Sequence, residues 1–263
     1  MIQRTFGRLE SFDERSRNFG ILKIVKQEIP FTNMWECVKL LDQGNDPYCV
    51  GFAGAHQAIA TPVSQLWVDY NTGVKFYRGA QDNDEWPGSD YEGSSVLGLL
   101  KYWLSIGFCV SGHWAFTLME ERLGISYDSP EVAGTNWATG MMKPDSNGFI
   151  HATGVNEGGH AYLRIGNNEE EEYFTILNSW KNPDGTWWGD NGRAKLSYSD
   201  AEKLRHGGEA LFIQGEKDIG PILPDPDDDK SDCLLTKSVV NIFNNLANIL
   251  GRKSRINSYV ERR

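Results

Sequence analysis

A glutamine, a cysteine, a histidine and an asparagine, each in a distinct local setting, stand in the order Gln43, Cys49, His160, Asn178. The first setting is Leu41-Asp42-Gln43-Gly44, continuing to Cys49-Val50-Gly51-Phe52-Ala53. The second is Glu157-Gly158-Gly159-His160-Ala161. The third is Leu177-Asn178-Ser179-Trp180, followed by Trp187-Trp188-Gly189-Asp190-Asn191-Gly192. A thiol becomes a nucleophile when a base takes its proton and a third group orients that base. An acyl group under attack also needs donors aimed at its developing oxyanion. These residue types meet all four needs: Cys49 as nucleophile, His160 as base, Asn178 as orienting group, and Gln43 as a donor beside the Cys49 backbone N–H.

Each assignment is weighed against a plainer one. Free cysteines are most often small buried apolar residues, and Cys37, Cys109 and Cys233 read that way. Cys49 instead stands where a loop becomes a helix, and the N–H groups of a helix N-terminus favour a thiolate. His160 alone would read as a core histidine on an apolar strand. A hairpin pairing Tyr162-Leu163 with Ile176-Leu177, turning near Asn167, would bring Asn178 to its side. His151 stays as a rival base, whereas His56, His113 and His206 lack a comparable setting.

The elements that must hold these residues fall into two kinds. From Cys49 the pattern is helical through Phe52, Ala53, Ile59 and Ala60, stopping at Pro62. A second helix is expected from Pro62 to Gly73, then an acidic, Gly-rich loop from Gln81 to Gly93. Ser94 or Ser95 caps a third helix with an apolar stripe of Leu99, Leu100, Trp103 and Leu104. A short helix is expected from Trp114 to Leu123, closed by Gly124. The pattern then turns strand-like at 149–150, 160–165, 173–177, 193–198 and 210–214, with a solvated hairpin end over 169–172. The expectation is an α+β protein of two halves. An arm covers residues 1–35, and a domain covers 36–220 with halves of 36–130 and 131–220. An acidic Pro-rich linker follows at 221–231, then an amphipathic helix with a basic end at 232–263.

The chain has 263 residues, 40% of them hydrophobic, which suits one large domain or two small lobes. A net charge of -10 speaks against a nucleic-acid footprint. No apolar run is long enough to span a membrane, and Met1–Ser11 shows no secretory h-region. Four scattered cysteines are too few for a disulfide framework, so a reducing, cytoplasmic compartment is expected. No phosphate-binding glycine loop and no metal-ligand spacing stands out, so neither cofactor nor metal is expected.

The three settings resemble the papain-like cysteine peptidases. In that family a Gln-Gly pair precedes the nucleophilic Cys by six residues, as Gln43 precedes Cys49. Phe-Ala follows it as Phe52-Ala53 does here, a Gly-His-Ala strand supplies the base, and Asn-Ser-Trp with a later Trp-Gly-x-Asn-Gly follows. Ser64–Tyr70 and Glu92–Gly107 resemble segments of the minimal bacterial and phage members, and the likeness spans about residues 40 to 215. It implies a two-lobe fold, a helical lobe carrying Cys49 and a strand-rich lobe carrying His160 and Asn178, with the cleft between them. It implies a cysteine-type endopeptidase of a bacterial or phage-infected cell acting on a peptide or protein substrate. It further implies that Trp180 and Trp188 shield the His–Asn bond, and that Gly93, Gly158 and Gly159 line the substrate. Asp46-Pro47-Tyr48 stand where the family has a disulfide-forming Cys, so that disulfide is not expected. No long helical propeptide is read before Cys49, and residues 1–30 are the candidate for covering the cleft. Two other functions stay open: thiol acyl transfer on the same residues, and a non-catalytic scaffold. The segment 232–250 is read as folding back onto the body, as a self- or partner-association helix, or as a membrane-surface helix.

Overall fold

Every residue of the first helix, α1 (Cys49–Ile59), is buried. A helix without a polar face must be wrapped on all sides, and two glycines allow the close approach. A Cβ on Gly51 would lie 2.2 Å from the Gly73 carbonyl oxygen, and one on Gly54 would lie 2.7 Å from the Trp103 ring. Helix α2 (Tyr70–Asn83) thus packs on one side of α1. Helix α3 (Val96–Ser105) closes another, and α1 also lies on the sheet.

The computed structural model describes residues 4–88, 90–217 and 220. The chain divides into two units, Met1–Pro221 and Ile222–Arg263. The second unit lies outside the described residues, together with the linker at 221–231, Cys233 and the segment 232–263.

The remaining elements are β1 (Asn33–Met34), β2 (Ser111–Trp114), α4 (Leu118–Tyr127), β3 (Glu131–Ala138), β4 (Phe149–Ile150), β5 (Asn156–Asn168), β6 (Tyr173–Leu177), β7 (Arg193–Ser197), α5 (Tyr198–Leu204) and β8 (Glu209–Gln214). The described strands form one sheet in the order β2-β8-β3-β5-β6-β7-β4, with β1 paired to β5. The expected hairpin is present: β5 and β6 pair with Leu163 opposite Leu177 and Arg164 opposite Ile176. Its exposed end holds Glu170 and Glu171. The architecture is α+β, helices first and strands later.

Three expectations about elements are corrected. No helix runs from Pro62 to Gly73. Helix α2 begins at Tyr70 because Asp69 and Thr72 form a capping box, and it continues to Asn83 through the start of the expected loop. Trp114 belongs to β2, opposite Leu211, and α4 starts later, where the Thr117 side chain accepts from the Glu120 N–H. Gly124 lies inside α4, where a Cβ would stand 2.4 Å from the Phe212 ring, so it serves packing and not a helix stop. Strand β3 and helix α5 are additions to the reading.

The N-terminal segment is bound into the body. It carries 3-10 turns at Glu14–Phe19 and Ile21–Lys23, fully buries Ile21, and pairs Asn33 with Asn167. Residues before it run across the face where α1 meets β5.

Candidate active site

The fold brings the N-terminus of α1 against β5, and this places Cys49. The backbone of Ala161, Gly7 and Val50 faces its thiol and favours the thiolate. Ala161 directly follows His160 on β5, so the thiol faces the backbone one residue beyond the histidine. His160 Nε2 lies 2.9 Å from Asn178 Oδ1. The Asn178 amide is fixed in that orientation because its Oδ1 also accepts the Ser179 N–H at 2.8 Å. An oxygen on Nε2 makes that nitrogen the N–H donor and leaves Nδ1 with the basic lone pair. His160 Nδ1 is buried without a hydrogen-bond partner.

Aromatic rings enclose this pair. Trp180 stacks on the imidazole with ring centroids 4.3 Å apart, and Trp137 meets it edge-on at 4.8 Å. Trp188 packs edge-on against Trp180 at 6.3 Å and donates its indole N–H to the Met142 carbonyl. His160 and Asn178 are both fully buried. A hydrogen bond in so dry a place is stronger than in water. Trp137 was not singled out in the sequence, because the strand that carries it was not recognised.

Gln43 is fully buried beside the same site. Its Oε1 accepts the Ser179 hydroxyl at 2.7 Å, and its backbone N–H reaches the Ser179 carbonyl at 2.9 Å. The side-chain amide gives one N–H to the Asp46 carbonyl at 2.8 Å. A primary amide has two N–H groups, so the second remains for another acceptor. His151, the rival base, is exposed and lies 3.0 Å from Asp145 Oδ2. Cys37, Cys49 and Cys109 are free thiols.

The chain's own N-terminal segment lies over these residues. Ser94 pairs with it in parallel: the Ser94 N–H donates to the Gly7 carbonyl at 2.8 Å, and the Leu9 N–H donates to the Ser94 carbonyl at 2.8 Å. The Arg8 N–H donates to the Gly159 carbonyl at 2.9 Å. Phe6 sits edge-on to His160 and Trp180, and the Arg4 guanidinium lies 5.0 Å over the Trp180 ring. The close approach needs absent side chains. A Cβ on Gly159 would stand 2.0 Å from the Arg8 carbonyl oxygen, and one on Gly158 would stand 2.6 Å from Phe6 Cβ. Gly93 does not itself pair with the segment. Its N–H goes to the Tyr77 hydroxyl, and it is Ser94, one residue on, that makes the backbone bonds. Gly93 has φ +103° and a Cβ there would meet the Gly7 oxygen at 2.7 Å, so its lack of a side chain is what admits the strand.

Burial sets the charge state. Desolvation pushes the Cys49 thiol up against the hydrogen bonds and the Arg8 charge that pull it down. It pushes His160 down to about 3, against the help of Asn178. The helix N-terminus alone suggested a lowered thiol. With Gly7 seated, exclusion of water outweighs it, and the covered site holds a neutral thiol and a neutral imidazole. Among the described residues no group of three or more His, Cys, Asp or Glu side chains could hold a metal ion. No described helix is long and apolar enough to cross a membrane.

Solved structures similar to this chain include xylellain, a cysteine protease from Xylella fastidiosa, at 16% identity, covering 82% of this chain and 99% of that one, with a TM-score of 0.49. The Carica candamarcensis cysteine protease CMS1MS2 in complex with E-64 shares 15% identity over 72% of this chain and 100% of that one, with a TM-score of 0.48. Procathepsin B S9 from Trypanosoma congolense shares 13% identity over 82% of this chain and 86% of that one, with a TM-score of 0.45. No family model and no curated protein sequence matches the chain.

Proposed function

We propose that the chain is a cysteine-type peptidase that cleaves peptide bonds with Cys49, His160, Asn178 and Gln43. The observation that carries this reading is the oriented imidazole. Nε2 is held by Asn178 at 2.9 Å, and Nδ1, with its lone pair free, lies buried on the strand that touches the Cys49 thiol. His160 Nδ1 takes the thiol proton, and the sulfur attacks the peptide carbonyl. The developing oxyanion is met by the Cys49 backbone N–H and the second N–H of Gln43. The imidazolium then gives its proton to the leaving amine, and water hydrolyses the thioester. Trp180 and Trp188 keep solvent from the His–Asn bond throughout. Gly158, Gly159 and the Gly93-Ser94 edge bind the substrate backbone, in the groove where residues 6–9 now lie. Turnover requires that segment to leave, because a neutral thiol is a poor nucleophile.

The test is a fluorogenic peptide library, with the products identified by mass spectrometry and Cys49→Ala as the control. Free carboxylic acid products from the unmodified chain and none from the variant are expected. Equal cleavage by Cys49→Ala would overturn the proposal.

A further inference from the structure

Three buried carboxylates of the body each meet a guanidinium. Glu121 and Glu131 lie 3.0 and 2.9 Å from Arg164, and Glu209 lies 2.8 Å from Arg8. Glu216, just beyond β8, is treated differently. Among the described residues it has no ion-pair partner, and the Lys217 side chain next to it is exposed. Desolvation pushes the Glu216 carboxyl up. The groups that face it do not relieve it. Cys109 is buried, and Asp128 is itself pushed up to about 7 by desolvation with the Glu216 charge added.

A cavity of about 460 Å³ opens beside this carboxyl, a size within the range of small-molecule sites. The turn that follows α1, Pro62 to Trp67, supplies its other walls. Leu66 is 61% exposed, a large apolar side chain left at the surface, whereas Gln65 is 6% exposed. Gln65 Nε2 donates to the Lys217 carbonyl at 2.8 Å, and the Gln65 backbone N–H donates to the Ala58 carbonyl at 2.8 Å. The amide is thereby fixed with its oxygen free. Gln65 Oε1 and Glu216 Oε1 are both buried and accept no hydrogen bond. The turn also closes on the C-terminal end of α1, where the Ala60 carbonyl accepts the Ser64 N–H at 2.9 Å. That is the negative end of the helix dipole, which favours a cation.

Two orphaned acceptors, one of them a carboxylate, thus share a cavity with Pro62, Val63, Leu66 and Trp67. A neutral apolar guest would leave both acceptors unpaired, at a desolvation cost. A bare metal ion lacks ligands, since no group of three or more His, Cys, Asp or Glu exists among the described residues. A guest with N–H donors, a positive charge and an apolar body satisfies every wall, and its charge can also lie against the Trp67 ring. The 11 residues of α1 set this end of the helix roughly 16 Å from Cys49.

We propose that this cavity is a second ligand site, for a small primary ammonium ion with an apolar body, such as an arylalkylamine. The site is independent of the peptidase reading.

The full chain is titrated calorimetrically with 2-phenylethylammonium chloride and with 2-phenylethanol, which has the same shape and no charge. The ammonium is expected to bind at least about tenfold tighter than the alcohol, the scale of a buried charge-assisted pair. Glu216→Gln should remove the difference. Glu216→Lys, which brings an ammonium of its own, should abolish binding of the amine. Glu209→Gln, a control for capture in the Cys49 cleft, should leave the difference intact. Absence of binding, equal binding of the two compounds, or a preference that survives Glu216→Gln would overturn the site. A preference lost in Glu209→Gln and kept in Glu216→Gln would also overturn it and place the amine in the cleft.

Discussion

Two histidines are buried to the same depth and are hydrogen-bonded in opposite senses. His56, on the all-buried helix α1, and His160, on β5, are both pushed down to about 3 by desolvation. His56 Nε2 accepts the Leu41 backbone N–H at 2.9 Å, so its lone pair is spent and its proton resides on Nδ1. His160 Nε2 faces an amide oxygen, so its proton is there and its lone pair is free. Depth and titration alone do not distinguish the two. The sign of the hydrogen bond at Nε2 makes one imidazole a structural brace and leaves the other with the free lone pair that the proposed base needs.

The largest expected difference follows from removing each ring. His160→Ala should lower kcat by about three powers of ten or more, within the range for a positioned base, while leaving the melting curve near that of the parent. His56→Ala should destabilise by about 2–4 kcal/mol, from a cavity plus an unpaired Leu41 N–H, and keep its turnover per folded molecule. Peptide kinetics beside thermal melts measure both, and an active His160→Ala chain would erase the contrast.

Next in size is the orienting amide. Asn178→Ala should slow turnover by about ten- to a hundredfold with little change in KM, since it acts through the imidazole and not on substrate. A rise confined to KM would place Asn178 in binding instead.

Thiol reactivity gives a smaller and separate readout. In the intact chain all three described cysteines are buried, and Cys37 and Cys109 are pushed up to about 11 and about 12. Cys49 should therefore alkylate slowly near neutral pH. Arg8→Ala should loosen the covering segment and speed Cys49 alone, by roughly tenfold. Adding His160→Ala should remove that gain. Mass mapping of iodoacetamide adducts decides it, and equal acceleration at Cys37 would point to general unfolding.

The finest comparison is with pH. An imidazole held neutral in the fold but free to protonate when unfolded stabilises fully above about 6.5 and loses that contribution as pH falls toward about 3. The loss is about 1.4 kcal/mol per pH unit for each such ring. Asp128 and Glu209, both raised to about 7, act with the opposite sign, since ionisation favours the unfolded chain as pH rises. The His56 contribution is isolated by comparing urea midpoints of His56→Gln and the parent between pH 6.5 and 4.5, where the gap should narrow as pH falls. A constant gap would mean that His56 is already charged in the fold.

Gln43, Cys49, His160 and Asn178, the proposed quartet, stood out because each sits in a dense local pattern, and the β5–β6 hairpin was legible from its apolar runs and polar end. The helix after α1 was misplaced because Pro62 and Gly73 look like its limits. The true start is a side-chain cap at Asp69, and Gly73 is needed inside the helix, where a Cβ would meet the Phe52 ring at 2.9 Å. Strand β3 was missed because Gly134 and Asn136 interrupt its apolar alternation, and Trp137 went with it. Arg8 and Glu209 carry no local signal, since they lie 201 residues apart and only the fold makes them partners.

The segment over Cys49 is tethered to the body it covers. Its grip is therefore a first-order property, unchanged when the protein is diluted. A tethered competitor commonly acts at an effective concentration near millimolar, so, if the proposed peptidase function holds, an incoming peptide must outbid it before any bond is cut. The measured KM then contains the closing equilibrium of residues 4–9 as a multiplying factor. Substitutions in that stretch should change KM for every peptide in the same proportion.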